Sequence, residues 1–209
     1  MRKICVLILA VSLFQACQTK IAQISDDAET TESFSVEDTT SAVREAVSVK
    51  ICDKGIKPVQ SLYNFFMSSN PLADEQKVLR LARFYVDEAA AEGVNSDVAF
   101  VQMCLETGFL KFGGLVSEDM HNFCGLGAMS ETQRGLVFEN EQLGVRAHIQ
   151  HLHAYGCTEV LKKDLIDTRY KYVNPRGKAP TIYELAGTWA SDREYGNKLN
   201  ELLTRLSYF

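Results

Sequence analysis

The pattern that most restricts the fold is a helical apolar spacing that is interrupted once, near the middle of the chain. Apolar residues recur at helical intervals between residues 70 and 108 and again between residues 143 and 206. The stretch between them, residues 109–138, follows no helical period and contains Gly113, Gly114, Gly125, Gly127 and Gly135. Glycines at this density favour loops or a short hairpin. We therefore predict a mostly α-helical domain with a short loop or β insert between two groups of helices, and a cleft at their junction.

Capping residues bound the first two predicted helices. Asn70 supplies a cap, followed by a first-turn proline, for a helix that Gly93 ends. Asn95 or Ser96 caps a second helix, which Gly108 ends. The apolar positions are Leu72, Leu79, Ala82, Val86 and Ala89 in the first helix and Val98, Val101 and Leu105 in the second.

Helical spacing resumes after the insert and predicts two further helices. Val145, Ile149 and Leu152 share one face of the first of them. The segment from Ser191 to Glu194 matches a capping box, in which a serine caps the helix and a glutamate three residues later bonds back to it. The apolar face of the last helix consists of Tyr195, Leu199, Leu202 and Leu206.

The N-terminus has the features of an export signal. Two basic residues precede an apolar run at residues 4–14, and a small residue stands directly before Cys17. This pattern predicts a bacterial signal peptide at residues 1–16, and the junction resembles the lipobox of lipoproteins, which implies a lipid-anchored Cys17. The alternative is an ordinary secretory signal in which Cys17 is incidental. Residues 17–56, acidic and rich in Ser and Thr, are predicted to form a flexible tether, so we expect an envelope protein facing the periplasm or the cell surface.

Removal of such a signal leaves Cys52, Cys104, Cys124 and Cys157 in an oxidising compartment. Four cysteines allow three complete pairings, and the sequence does not choose among them. A CxxC spacing is absent from the sequence, so a structural zinc site has no support.

The charge balance excludes some classes of partner. The chain has 22 Lys and Arg against 27 Asp and Glu, a net charge of −5, and no basic run that would neutralise phosphates, so we expect no nucleic-acid binding. No apolar stretch reaches the roughly 20 residues of a membrane-spanning helix. We expect a monomer.

A single glutamate stands in a chemically distinctive position. Glu106 falls in the last turn of the second predicted helix, beside its apolar face. There the unpaired carbonyls, the negative end of the helix dipole and desolvation would all raise its pKa. A carboxylic acid that stays protonated near neutral pH is what the cleavage of a glycosidic bond requires.

Four separated segments carry a resemblance to a known family. They are EAAAEGVNSDVAFVQMCLETGF (88–109), NFCGLGA (122–128), LGVRAHIQHLHAY (143–155) and WASDREYGNKLNELL (189–203). In this order they resemble the glucosaminidase domain of bacterial autolysins, the mannosyl-glycoprotein endo-β-N-acetylglucosaminidase-like family, also called glycoside hydrolase family 73. The resemblance covers a domain at residues 57–209 and implies an α+β, lysozyme-like fold and peptidoglycan glycan strands as the partner.

The resemblance implies roles for particular residues. In the pattern Q-x-x-x-E-[ST]-G, Glu106 corresponds to the catalytic acid and Gln102 to the first, groove-side position. Tyr195 matches a tyrosine that points into the cleft, for which the resemblance implies a catalytic role, with core packing as the alternative. The residues expected to line the sugar groove are Asn122, Phe123 and Gly125 from the N-x-[FC]-G-[IL] loop, together with Trp189, for which packing is the alternative to stacking on a sugar.

The sequence departs from the family where longer members carry a hairpin with a second catalytic carboxylate. Between residues 128 and 138 only a short segment remains. Glu131 is the main candidate for the second carboxylate, and the alternatives are Glu118, Asp119 and Glu139. If none of them serves, the N-acetyl group of the substrate is the expected nucleophile.

The histidines of residues 148–153 do not form a metal motif. Only His148 and His151 share a helical face, and no HExxH pattern is present, so we expect surface or groove-lining roles for these two and for His153. We predict no metal and no other cofactor.

Three functions fit these observations. The first is hydrolysis of the bond on the reducing side of N-acetylglucosamine in peptidoglycan. The second is lytic transglycosylation, which related folds carry out with a lone glutamate at a helix end. The third is a catalytically silent lipoprotein that uses the groove as a peptidoglycan clamp.

Overall fold

A computed structural model describes residues 46–209, which pack as a single unit. Its elements are α1 (Val59–Ser69), α2 (Glu75–Glu92), α3 (Ser96–Thr107), α4 (Glu141–Gly156) and α5 (Tyr195–Leu206), with short 3₁₀ turns at Glu118–Met120 and Tyr170–Tyr172. The predicted signal peptide, Cys17 and most of the predicted tether lie outside the described residues. In the described part, none of the helices has the length and apolar character needed to cross a membrane.

Helix α3 is the centre of the domain. The side chain of Asn95 accepts hydrogen bonds from the backbone amides of Asp97 and Val98, and Gly108 ends the helix in the left-handed conformation. Both predicted ends are thus confirmed. The predicted apolar stripe is too narrow, because every residue from Ser96 to Cys104 is buried. The other four helices pack around α3 and leave only its last turn open to solvent.

Helices α2 and α4 lie side by side and share a buried ion cluster. Glu88 of α2 is fully buried and accepts hydrogen bonds from Arg146 of α4 at 2.9 Å and from Lys163 at 2.8 Å. Burial by itself would raise the pKa of Glu88, but these hydrogen bonds outweigh it and the pKa is lowered. The ionised carboxylate therefore fixes the segment after α4 against α2.

Three helix predictions need correction. Helix α2 begins at Glu75, capped by Asp74 rather than by Asn70, and Leu72 of the expected apolar face is 95% exposed. Helix α5 begins at Tyr195 without a side-chain cap, so the predicted capping box from Ser191 is not formed. Helix α1, whose buried face is Ser61, Leu62, Phe65 and Phe66, has no counterpart among the predicted helices.

The segment between α3 and α4 is irregular, as predicted, but the β part of the fold prediction is not confirmed. Within residues 46–209 extended pairing is limited to isolated bridges, one of which joins Ser130 to Gln133 across a tight turn. A mostly helical, lysozyme-like domain remains consistent with this arrangement.

The folded region begins earlier than predicted. Residues 46–56, assigned to the tether, pack on the domain: Ile51 is fully buried, and its amide donates to the carbonyl of Pro180 at 2.9 Å. Cys52 forms a disulfide with Cys157, across a sequence separation of 105 residues. Cys104 and Cys124 are buried free thiols. The four cysteines therefore form one disulfide, Cys52–Cys157, rather than a complete set of two.

Candidate active site

A cleft of about 440 Å³ opens at the end of α3. The last turn of α3 forms its floor, and its walls are the segment around residues 112–116, the loop at 122–128 and residues 189–191. Among the described residues that line this cleft, Glu106 is the one carboxylate. The predicted junction between the two helix groups is therefore a groove with a single acid at its floor.

Both donors to Glu106 bind the same oxygen. The Tyr195 hydroxyl donates a hydrogen bond to Oε1 of Glu106, and Nε1 of Trp189 donates to the same oxygen at 3.1 Å. In the neutral acid, an Oε1 that accepts two hydrogen bonds leaves Oε2 as the oxygen that carries the proton. The arrangement therefore assigns the transferable proton to Oε2.

The environment of Glu106 favours its protonated form. The residue is accessible through the cleft, yet protein surrounds most of its carboxyl group. This burial raises the pKa of Glu106, while the hydrogen bonds from Tyr195 and Trp189 oppose the rise without cancelling it. The direction agrees with the prediction, with desolvation as the main cause.

Tyr195 is the first residue of α5 and is 5% exposed. Burial, followed by the nearby Glu106 carboxylate, raises its pKa well above the ordinary value for a tyrosine, so the phenol stays neutral and able to donate. Tyr195 also accepts a hydrogen bond from Nε2 of Gln102 at 2.9 Å. Gln102 itself is fully buried beneath Tyr195, and it is not among the residues that line the cleft.

The loop at 122–128 is held by one amide side chain. Asn122 accepts from the backbone amide of Leu126 at 2.8 Å and donates to the carbonyls of Leu126 and Leu136, both at 2.9 Å. Gly125 lines the cleft at a φ of 66°, a conformation that favours glycine. Phe123, expected in the sugar groove, is instead fully buried in the core.

Trp189 combines the two roles that the sequence left open. Its ring contacts His151 and Tyr155, with centroids 5.2 and 5.3 Å apart. At the same time it lines the cleft and donates to Glu106. Packing thus holds the indole in place while one edge faces the groove.

The chain leaves α3 through an unusual backbone. Phe109, Leu110 and Phe112 have φ values of 57, 59 and 53°, which residues other than glycine rarely adopt. Hydrogen bonds stabilise this path: the Phe109 amide donates to the Cys104 carbonyl at 2.7 Å and the Phe112 amide to the Thr107 carbonyl at 2.8 Å. Strain of this kind persists only where the surroundings enforce it, and here it brings Phe112 into the cleft wall.

The candidates for a second carboxylate lie outside the lining of the cleft. Glu131 is exposed in the turn between Ser130 and Gln133. Glu118 pairs with Lys77 at 2.6 Å. Neither these two nor Asp119 and Glu139 are among the lining residues, and the catalytic role of Glu131 stays a prediction.

His148 and His153 differ from the surface or groove-lining roles predicted for the histidines. His148 is fully buried and His153 is 1% exposed, while His151 lines a small pocket beside Trp189. Nδ1 of His151 pairs with Asp167 at 2.7 Å, and Nδ1 of His153 contacts the Tyr170 hydroxyl at 3.2 Å. A signal for the burial of His148 was present, because it lies three residues after Val145 and four before Leu152 on the predicted apolar face.

The group of metal-type ligands and the larger cavity that the structure describes are formed by residues other than those around Glu106. Within residues 46–209, one group of three such ligands is found, Cys52, Cys157 and Glu159, and its two thiols are already joined in the disulfide. A larger cavity of about 590 Å³ lies beside this disulfide. The carboxylate of Glu92 in its wall is bound by the backbone amides of Lys162 and Lys163. We place the candidate chemistry at Glu106 because this residue lines a groove and both of the donors to its carboxyl bind Oε1, which leaves Oε2 without a hydrogen bond from the described residues.

Comparisons with known proteins identify the family of the chain. The family model described as "Glucosaminidase: Mannosyl-glycoprotein endo-beta-N-acetylglucosaminidase" matches residues 82–208, a range that contains Glu106, Trp189 and Tyr195. An uncharacterised protein of Borreliella burgdorferi is 40% identical over 171 residues, which cover 82% of this chain and 83% of that protein. No solved structure matches the chain significantly.

Proposed function

The chain belongs to the glucosaminidase family, and from that membership we propose that it is a peptidoglycan hydrolase, an endo-β-N-acetylglucosaminidase that uses Glu106 as its general acid. The observation that carries this proposal is the carboxyl of Glu106 in the lining of the cleft: two donors bind Oε1, no described residue is hydrogen-bonded to Oε2, and burial raises the pKa of Glu106. A glycan strand is an extended polymer, and an open groove accepts one.

In the proposed reaction, Oε2 of Glu106 donates its proton to the glycosidic oxygen on the reducing side of N-acetylglucosamine as the bond from that oxygen to C1 breaks. A nucleophile then attacks C1 and forms a bond to it. Water finally adds its hydroxyl to C1 and returns a proton to Glu106, so the net reaction consumes one water. General acid catalysis of this kind contributes about 10²–10⁴-fold to the rate.

The nucleophile that best fits this cleft is the N-acetyl carbonyl oxygen of the substrate. Glu106 is the one carboxylate among the described lining residues, and a single acid has no protein partner for a two-carboxylate mechanism. Attack by the N-acetyl oxygen on C1 gives an oxazoline intermediate, which water opens. If the turn at 130–133 closes over bound glycan, Glu131 would take the place of the N-acetyl oxygen as the nucleophile.

The products of digestion test this proposal. We expect purified peptidoglycan sacculi, treated with the enzyme and then reduced with borohydride, to give fragments that end in reduced N-acetylglucosamine by mass analysis. The Glu106→Gln protein is the matched control for contaminating hydrolases.

Other products identify the other functions. An anhydro-muramyl end would identify a lytic transglycosylase, which the single carboxylate in the cleft lining also supports. Reduced N-acetylmuramic acid would identify a muramidase. Binding of sacculi without any new ends would identify a clamp.

We also propose that the mature protein begins at a lipidated Cys17 and is held in the cell envelope, from the export pattern of residues 1–17. The wild-type protein should incorporate a radiolabelled fatty acid, and Cys17→Ser should abolish that label. Mass spectrometry of the mature N-terminus provides the second measurement. A mature protein that begins at another residue, or carries no lipid, would disprove the anchor and leave the proposed chemistry intact.

A further inference from the structure

A line of buried hydrogen bonds leads from α2 to the carboxyl of Glu106. The Tyr85 hydroxyl lies 2.8 Å from Nδ1 of His148, and Nε2 of His148 lies 3.0 Å from Oε1 of Gln102. Nε2 of Gln102 donates to the Tyr195 hydroxyl at 2.9 Å, and that hydroxyl donates to Glu106. Four helices contribute to this line, since its residues lie on α2, α4, α3 and α5.

Each bond in the line constrains the direction of the next. Because Gln102 donates to Tyr195 through Nε2, its Oε1 accepts from Nε2–H of His148. A neutral imidazole protonated on Nε2 has an acceptor at Nδ1, so the Tyr85 hydroxyl is the donor there. Every donor therefore points toward Glu106.

Burial prevents the hydrogen bonds of this line from reversing their donor direction. Tyr85, Gln102 and His148 are fully buried, so water does not replace a broken bond. Burial, followed by the charge of nearby His151, lowers the pKa of His148 to about 3, so the ring is neutral where a hydrolase works. Reversal of the line would need a half-turn of the Gln102 amide and transfer of the His148 proton from Nε2 to Nδ1. Transfer through the charged imidazolium is disfavoured, because the lowered pKa of His148 keeps the ring neutral.

We propose that Tyr85, His148 and Gln102 are positioning residues, which hold the Tyr195 hydroxyl as a permanent donor to Oε1 of Glu106 and thereby keep the transferable proton on Oε2, facing the glycan. This inference rests on the proposed role of Glu106 as the acid. It assigns a function to the amide of Gln102 and the imidazole of His148, which are fully buried and do not contact substrate directly.

The other titratable groups near Glu106 do not take over the role of Tyr195 as a donor to Oε1. Cys124 faces Glu106 from the loop at 122–128, and burial raises its pKa well above that of an ordinary thiol, so it stays neutral. His151 of α4 packs against the Trp189 ring, and its Nδ1 is paired with Asp167. Tyr195, with the line behind it, and the indole of Trp189 are thus the groups that polarise Oε1.

The experiment compares two matched Tyr→Phe variants. Tyr85→Phe removes the first donor of the line. Tyr170→Phe removes a second tyrosine contact to Nδ1 of a histidine in α4, His153, which is not connected to Glu106. A third variant, Gln102→Met, breaks the line one step from Tyr195. The measurements are the ¹³C carboxyl titration of Glu106, assigned by its loss in Glu106→Gln, and the pH dependence of kcat and KM on soluble glycan fragments.

The sign of the expected change follows from the donation by Tyr195. That donation stabilises the carboxylate, so weakening it raises the pH midpoint of Glu106 and moves the alkaline loss of activity to higher pH. We expect an upward shift of about 1 unit in Gln102→Met and of about 0.3 unit in Tyr85→Phe. We also expect kcat to fall while KM stays near wild type, and Tyr170→Phe to match wild type in midpoint, kcat and KM.

Several outcomes would overturn the inference. One is a folded Tyr85→Phe or Gln102→Met protein with a lowered melting temperature but an unchanged Glu106 midpoint, because a purely structural role predicts that result. Another is a ¹⁵N spectrum of wild-type His148 that shows Nδ1–H rather than Nε2–H. The titration does not need turnover, so a protein that shows the shifts but digests no peptidoglycan would refute the proposed function and leave the hydrogen-bond line standing.

Discussion

Replacing Glu106 with glutamine should lower the rate of peptidoglycan digestion by about 10²–10⁴-fold or more, with a melting temperature close to that of wild type. The amide matches the carboxyl in shape, and its oxygen can accept the hydrogen bonds from Tyr195 and Trp189 that Oε1 now accepts. What the variant lacks is a transferable proton at the position of Oε2. Digestion rates on purified sacculi, measured beside circular dichroism melts, separate the loss of chemistry from any loss of fold.

Glu131→Gln is the matched control for this loss. Glu131 is exposed in a tight turn and does not line the cleft, so its substitution should cost much less activity. An equal loss in both variants would establish a mechanism with two carboxylates. A folded Glu106→Gln protein that keeps more than about a tenth of the wild-type rate would remove Glu106 as the proton donor.

Loss of the disulfide should produce the largest change in stability. The Cys52–Cys157 bond has a sequence separation of 105 residues. A cross-link over a loop of this length restricts the unfolded chain strongly, so the double variant Cys52→Ala/Cys157→Ala should lose about 4–5 kcal/mol of unfolding free energy in the loop-entropy treatment. Denaturant unfolding of the two proteins under oxidising conditions measures the difference.

A reducing agent supplies the control for the two substitutions. Dithiothreitol should destabilise wild type toward the level of the double variant and leave the double variant unchanged. Cys104 and Cys124 are buried and both have raised pKa values, mainly because of burial, so they should not react with a thiol reagent until the protein unfolds. Equal stability of wild type and double variant would show that the Cys52–Cys157 bond does not form.

The predictions that agree with the structure depend on short-range patterns. Asn95 and Gly108 were recognised as the ends of α3 because a cap and a left-handed terminus involve only residues a few positions apart. The buried faces of α4 and α5 follow from helical periodicity. The family was recognised from ordered motifs, and those motifs include both Glu106 and Tyr195.

Local patterns also account for several errors. Asn70 and Asp74 both offer a cap for α2, and the choice between them depends on how the preceding helix α1 packs. His148 sits on an apolar face, yet a surface or groove-lining role was predicted for it, because a sequence does not show that Gln102 and Tyr85 meet it in the core.

The sequence by itself determined the helical character of this domain, both ends of α3, the C-terminal end of α2 and the position of the residue that carries the proposed acid, since each of these depends on neighbours within about one or two turns. Only the tertiary structure decided which cysteines pair, and that Tyr195 and Trp189, 89 and 83 residues away along the chain, bind the same oxygen of Glu106. It also brought Tyr85, His148 and Gln102 into one line. These contacts join residues distant in sequence, and the packing of all five helices together sets their geometry.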